Sequence, residues 1–174
     1  MSLSTSSPQH LLAAASIRFI VLTLLAALIL NLLPGEGFLL WLRPDFVLLV
    51  SLYWVVNLPR RVGIGIVWIL GLCMDVANGT LFGQHALAYA LAAFLVLALR
   101  RRILMFPLWH QSLHIFPVLL LVQTLILIIN LFSSSSSVNL VYYFLSSLTT
   151  ALLWPLLPSI LEMPQRRKSD PETA

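Results

Sequence analysis

The chain has 174 residues, 60% of them hydrophobic and only 9% charged, with a formal net charge of +4. A soluble domain carries roughly a quarter charged residues, so this chain has too little polar surface to cover a water-soluble core, and the bilayer is its expected solvent. Cys73 is the only cysteine, which excludes an intrachain disulfide and a cysteine metal cluster.

In chain order, residues 1–17 contain no Lys or Arg, so the basic start of a cleavable signal peptide is missing and an uncleaved first span is expected. A helix needs about 20 mostly apolar residues to cross the hydrocarbon core. The hydropathy pattern predicts six such segments, at 16–33, 38–58, 62–77, 84–99, 108–132 and 139–161. Pro34-Gly35-Glu36-Gly37 closes the first. The second contains Arg43-Pro44-Asp45 and ends at Asn57-Leu58-Pro59, because proline disfavours helix in the residue before it. The third holds Gly63, Gly65 and Gly71, read as close-packing positions, and Cys73, read as a small packing residue. Asn78-Gly79-Thr80 follows as a turn. The third and fourth segments are short, which tilt or local thinning would accommodate. The serines at 133–137 read as a flexible loop between the fifth and sixth. These segments predict an all-α fold with a single six-helix transmembrane domain over 1–162 and a short disordered tail over 163–174.

Basic residues set the expected orientation. Arg60 and Arg61 lie between spans two and three; Arg100, Arg101 and Arg102 lie between four and five; Arg166, Arg167 and Lys168 follow span six. The alternate loops carry no Lys or Arg. With six spans every basic loop falls on one side, which places both termini in the cytoplasm. These residues mark topology and rest against the lipid bilayer; without interleaved aromatics they do not suggest a nucleic-acid surface.

Candidate chemistry is sparse. His110 and His114 have i, i+4 spacing, but Gln111 stands where the zinc hydrolases place Glu. No nearby carboxylate completes a metal site, and interfacial anchoring is the expected role. No cofactor motif and no catalytic set is evident. Ala86, Ala88, Ala90 and Ala92 give span four small-xxx-small pairs that permit close helix approach. Gly79 and Gly83 have the same spacing but cross the predicted turn, where flexibility is the expected reason for them. The aromatic rim of Phe106, Trp109 and Trp154, together with the alanine face, is a candidate partner surface.

The charges at membrane depth carry the sharpest expectation. Buried charges in a bilayer face the protein and pair. Arg43 and Asp45 start span two from the outer side, and Asp75 arrives at the same depth near the end of span three. A bidentate Arg43–Asp75 pair is expected, with Asp45 capping the helix that Pro44 opens. Paired in this way, Asp75 would be a poor base, which weighs against an intramembrane enzyme.

The stretches "LRPDFVLLVSLYWVVNLPRRVG", "GLCMDVANGTLFGQHAL", "FPLWHQ" and "LLWP" resemble, in order and spacing, the rod shape-determining protein family MreD of Gram-negative bacteria. The resemblance implies a non-catalytic inner-membrane scaffold or regulator of the elongation machinery that supports lateral peptidoglycan synthesis. Its implied partners are MreC foremost, then MreB, RodZ, RodA and the elongation-class transpeptidase. It also implies a fold like the six-helix substrate-binding subunits of energy-coupling-factor vitamin transporters. A transporter subunit is therefore the alternative, and it would need an outer polar pocket lined by Arg43, Asp45, Asp75, Asn78 and Gln84.

Overall fold

Pro59, Gly63, Gly79, Gly83 and Pro107 stand at the described breaks between helices that run alternately in opposite directions. A computed structural model describes residues 16–33, 43–133 and 140–166, with side chains described at all of these except 133, 140–143 and 162–166. The helices are α1 (Ile17–Leu32), α2 (Phe46–Asn57), α3 (Ile64–Asn78), α4 (Gln84–Met105), α5 (Leu108–Ser133) and α6 (Leu140–Leu153). A 3₁₀ turn, Trp154–Leu156, joins α6 to α7 (Leu157–Arg166). No strand occurs among the described residues.

The segments Leu108–Phe132 and Phe144–Leu161 are long and apolar enough to cross a membrane, whereas α1, α2 and α3 are apolar but shorter. The shortest, α2, has 12 residues and spans about 18 Å. Every residue from 47 to 56 in it is buried. A helix that is apolar all round belongs in an interior, and α2 is the central strut of the bundle. Trp54 anchors it, packing edge-on against Phe19 and Tyr53 and donating its indole N–H to Thr23 Oγ1 at 3.0 Å.

The tightest helix pair is α3 with α4. A Cβ built on Gly71 would lie 2.5 Å from Ala86 Cα and 2.8 Å from the His85 carbonyl oxygen, so only glycine permits this approach. The outside of the bundle is as apolar as its core. On α1, Val21, Leu22, Leu25 and Ile29 are exposed, and Ile69, Phe94 and Leu131 are exposed on α3, α4 and α5.

Several boundaries differ from the sequence expectation. The helix of the second segment begins only at Phe46, after Arg43-Pro44-Asp45, and residues 34–42 lie outside the described residues. The fourth helix continues past Leu99 to Met105, so Arg100, Arg101 and Arg102 are helical rather than in a loop. Arginine is a good helix former, and the stop comes at Phe106, the residue before Pro107, in extended conformation. At the C-terminus, helix persists to Arg166, beyond the point where a disordered tail was expected to begin. Arg167, Lys168 and the serines at 134–137 lie outside the described residues.

Candidate functional site

The Arg43-Pro44-Asp45 element enters α2 and is tied to three other helices. Asp45 is the N-cap, its Oδ1 accepting the Leu48 N–H at 3.0 Å. The same oxygen accepts Asn31 Nδ2 from α1 at 3.1 Å, and the Tyr89 hydroxyl of α4 donates to Oδ2. Asn31 Oδ1 in turn accepts the Phe46 N–H at 3.1 Å. From α6, Thr150 Oγ1 accepts the Asp45 N–H at 3.0 Å, and Ser146 Oγ donates to the Arg43 carbonyl at 2.8 Å. The capping role expected of Asp45 is therefore present, and the same side chain also pins α1 and α4. Pro44 precedes the cap rather than occupying the first helical turn, because the helix starts at Phe46.

The expected Arg43–Asp75 pair is not formed. Arg43 instead donates through Nη2 to the Leu30 carbonyl at the end of α1, where a cation complements the exposed carbonyls and the helix dipole. Asp75 is fully engaged elsewhere. Its Oδ1 accepts the His85 N–H at 2.8 Å and the Thr80 hydroxyl at 3.1 Å, and lies 2.8 Å from His85 Nδ1. Its Oδ2 accepts the N–H groups of Gly83 at 2.9 Å and Ala86 at 3.3 Å. The reason lies in the N-cap of α4, which is Gly83 and has no side chain to offer. The first backbone N–H groups of a helix need acceptors, and the carboxylate of the preceding helix supplies them. Gly79 and Gly83, with φ of 62° and 98°, shape the intervening turn in the left-handed region that glycine adopts without strain.

These groups surround a cavity of about 320 Å³ at one end of the bundle. All six main helices or their termini contribute to its wall, including Asn31, Arg43, Asp45, Asn78, His85, Tyr89, Gln123, Asn130 and Ser146. Of the five residues the sequence suggested for a pocket, Arg43, Asp45 and Asn78 line this one. Asp75 sits behind it, reaching it through His85 and Thr80. Gln84 is buried outside the lining, its carboxamide without a partner among the described residues. Asn31, His85, Tyr89 and Ser146 were not singled out in the sequence, although His85 and Tyr89, and likewise Ser146 and Thr150, have the i, i+4 spacing of one helix face.

The remaining candidates separate by burial. Ala86, Ala88 and Ala92 are wholly buried and Ala90 is half-buried, so the alanine face is used inside the bundle and is not a free partner surface. Gly71 has the packing role expected of it, whereas a Cβ on Gly65 would meet nothing within 4 Å and Gly63 caps α3. Cys73 is exposed on α3 rather than packed. Trp154, expected at the rim, is 1% exposed and its indole donates to Gln111 Oε1 at 3.3 Å, which makes it a core residue. Phe106 and Trp109 do reach the surface, at 41% and 72% exposure. Phe106 stacks on His110 and His114. Arg60 and Arg61 lie exposed in the turn between α2 and α3, and Arg100 Nε donates to the Val56 carbonyl at the end of α2. No group of three potential metal ligands occurs among the described residues.

Thr80 Oγ1 lies 3.4 Å from His85 Nδ1, and both groups also contact Asp75 Oδ1. With five hydrogen-bond contacts to its oxygens, Asp75 has no lone pair aimed at an open site. All-helical among the described residues, with an apolar surface and with Asp45 and Asp75 engaged at helix starts, the chain has the build of a membrane protein whose polar groups hold helices together. The family model for the rod shape-determining protein MreD matches residues 14–163. The chain is also 30% identical over 129 residues to the rod shape-determining protein MreD of Haemophilus influenzae, covering 74% of this chain and 79% of that one. The chain belongs to the MreD family, and its role lies in the determination of rod shape. No solved structure matches it.

Proposed function

We propose that this chain is a non-catalytic scaffold of the inner membrane, crossing it six times with both termini cytoplasmic, that positions the rod-elongation machinery for lateral peptidoglycan synthesis. MreC is the first partner, with RodA, the elongation-class transpeptidase, RodZ and MreB assembled around it. Beside family membership, one observation carries this reading. Of the 16 residues of α1, only Ile20, Leu24 and Ala27 are buried, which leaves a broad apolar face uncovered among the described residues and suited to meet another membrane helix. Helix association in a bilayer relies on such lateral packing. The alternation of helix direction supports the six crossings, since it gathers the exposed Arg60, Arg61, Arg101 and Arg102 at the end away from the polar cavity.

Photocrosslinkers placed in cells at Leu22, Leu25, Phe94 and Trp109 test this. Partner adducts are expected from α1 or the Trp109 rim, and none from the buried control Ala88. Depletion should round the cells. Adducts from further probes at the cavity residues Asn78 and Asn130, with none from these four positions, would remove the helix-face mechanism. A second reading, the substrate-binding subunit of a vitamin-type transporter, draws on one observation, the polar cavity. Stoichiometric co-purification of a vitamin, with growth rescue by uptake, would favour it.

A further inference from the structure

Next to the polar cavity lies a separate groove of opposite character, with no lining residue in common. About 250 Å³ in volume and with almost wholly apolar walls, it runs between α1, α2 and the α6–α7 segment. On two walls sequence neighbours divide between cavity and groove, and on the third the two are separated by about two helical turns. On α1 the lining passes from Asn31, which lines the cavity, to Leu30, Ala26 and Thr23 in the groove. On α2 it passes from Asp45 to Phe46 and Leu49, and on the third wall from Ser146 to Leu153 and Leu157. From Leu30 to Thr23 the groove follows α1 for about 10 Å, the length of a good part of an acyl chain. Leu30, Leu156 and Ile160 are 44%, 52% and 65% exposed, so the groove opens sideways.

Charge decides what belongs in the cavity. Asp45 already accepts from Leu48, Asn31 and Tyr89, so donors of its own surround its carboxylate. Arg43 donates to one carbonyl, and its other N–H groups have no partner among the described residues. The carboxamides of Asn78 and Asn130 likewise make no hydrogen bond among the described residues. A guanidinium with donors to spare binds an anionic oxygen, and carboxamides that donate and accept suit hydroxyl groups.

We infer that this chain binds a single phospholipid with an anionic, hydroxylated headgroup, the headgroup in the Arg43 cavity and one acyl chain in the Leu30–Ile160 groove. The site takes an amphiphile, because a soluble molecule would leave the groove empty and a bare hydrocarbon would leave the guanidinium unmatched. This inference is independent of the shape-determining role and requires only that the bundle sits in a bilayer.

The test uses the full chain in detergent with lipid retention read by native mass spectrometry. Phosphatidylglycerol, phosphatidylcholine and free glycerol phosphate serve as probes. The expected result is preferential retention of phosphatidylglycerol over phosphatidylcholine by roughly tenfold, the worth of one charge-assisted hydrogen bond. Arg43→Gln should abolish that preference while still reaching the Leu30 carbonyl. Ala26→Trp, at an exposed position, should fill the groove and lower retention of both lipids. Thermal unfolding of each variant checks that it is folded; should Arg43→Gln unfold, Ala26→Trp and the comparison of the two lipids on the unaltered chain still decide. Equal retention of the two lipids, unchanged retention in folded Ala26→Trp, or displacement of lipid by glycerol phosphate at equal concentration would each overturn the inference. So would a tightly held vitamin in the cavity.

Discussion

Replacing Asp75 by Asn isolates the charge and acceptor capacity of the α3–α4 latch while keeping its shape. The amide must turn one way or the other. With its oxygen at the Oδ2 position it keeps the Gly83 and Ala86 N–H bonds, and its NH₂ then faces His85 and Thr80. The Thr80 hydroxyl can rotate to accept and the His85 ring can change tautomer, but the His85 backbone N–H cannot adapt. One orphaned buried donor costs about 1–3 kcal/mol, and losing a negative charge at a helix start adds roughly 0.3–1 kcal/mol. The opposite flip orphans two backbone donors and is worse. The expected destabilisation is thus about 1.3–4 kcal/mol in unfolding by SDS in mixed micelles. Hydrogen exchange should quicken at the amides of Gly83, His85 and Ala86 before the rest of α4. A double-mutant cycle with Arg43→Gln should show coupling below about 0.5 kcal/mol, because the two side chains share no partner. Wild-type stability in Asp75→Asn would refute the latch, and coupling above about 1–2 kcal/mol would instead point to a direct Arg43–Asp75 pair.

Further predictions follow from the same contacts. Gly71→Ala forces α3 from α4 and should cost about 1–3 kcal/mol or more, seen as a lowered midpoint in the same unfolding assay. Gly83→Ala meets open space but a φ of 98°, so the cost is conformational, about 1–2 kcal/mol, and Gly83→Asn should recover part of it. Tyr89→Phe removes the hydroxyl bound to Asp45 and should lower stability by roughly 1.5–3 kcal/mol, with the cap on α2 loosened in hydrogen exchange. Trp154→Ala should destabilise by about 3–5 kcal/mol, whereas Trp109→Ala should leave the unfolding midpoint nearly unchanged, because the first is buried and the second exposed.

The helical plan was legible because hydropathy and breakers act locally. Pro107 and Gly79 end or turn the chain by their own backbone preferences, whatever packs nearby. Pro117 stands inside α5 without ending it, since apolar runs in a membrane tolerate a missing backbone donor. The pairing of charges was not legible. Depth matching placed Arg43, Asp45 and Asp75 near one another, but it could not weigh the backbone donors of α4 against a guanidinium. A missing side chain at Gly83 and a carboxylate eight residues earlier were the available clue, and it concerns helix ends rather than ion pairs. The alanines of α4 were misjudged for a similar reason. Small residues mark close approach, and sequence alone does not say whether the approaching helix belongs to the same chain.

Arg100 shows how two selective demands fall on one side chain. In the proposed topology its charge belongs to the basic signature that sets which way the chain enters the membrane, and its Nε closes the end of α2 through the Val56 carbonyl. Arg101 and Arg102 can substitute for the first task but not the second. A charge-reversal scan of this triplet would therefore confuse an inverted protein with a correctly inserted but loosened one. Arg100→Lys separates them, because it preserves the insertion signal and removes the guanidinium. In the proposed topology, insertion and folding are consequently not successive problems solved by different residues, and a variant can fail the second after passing the first.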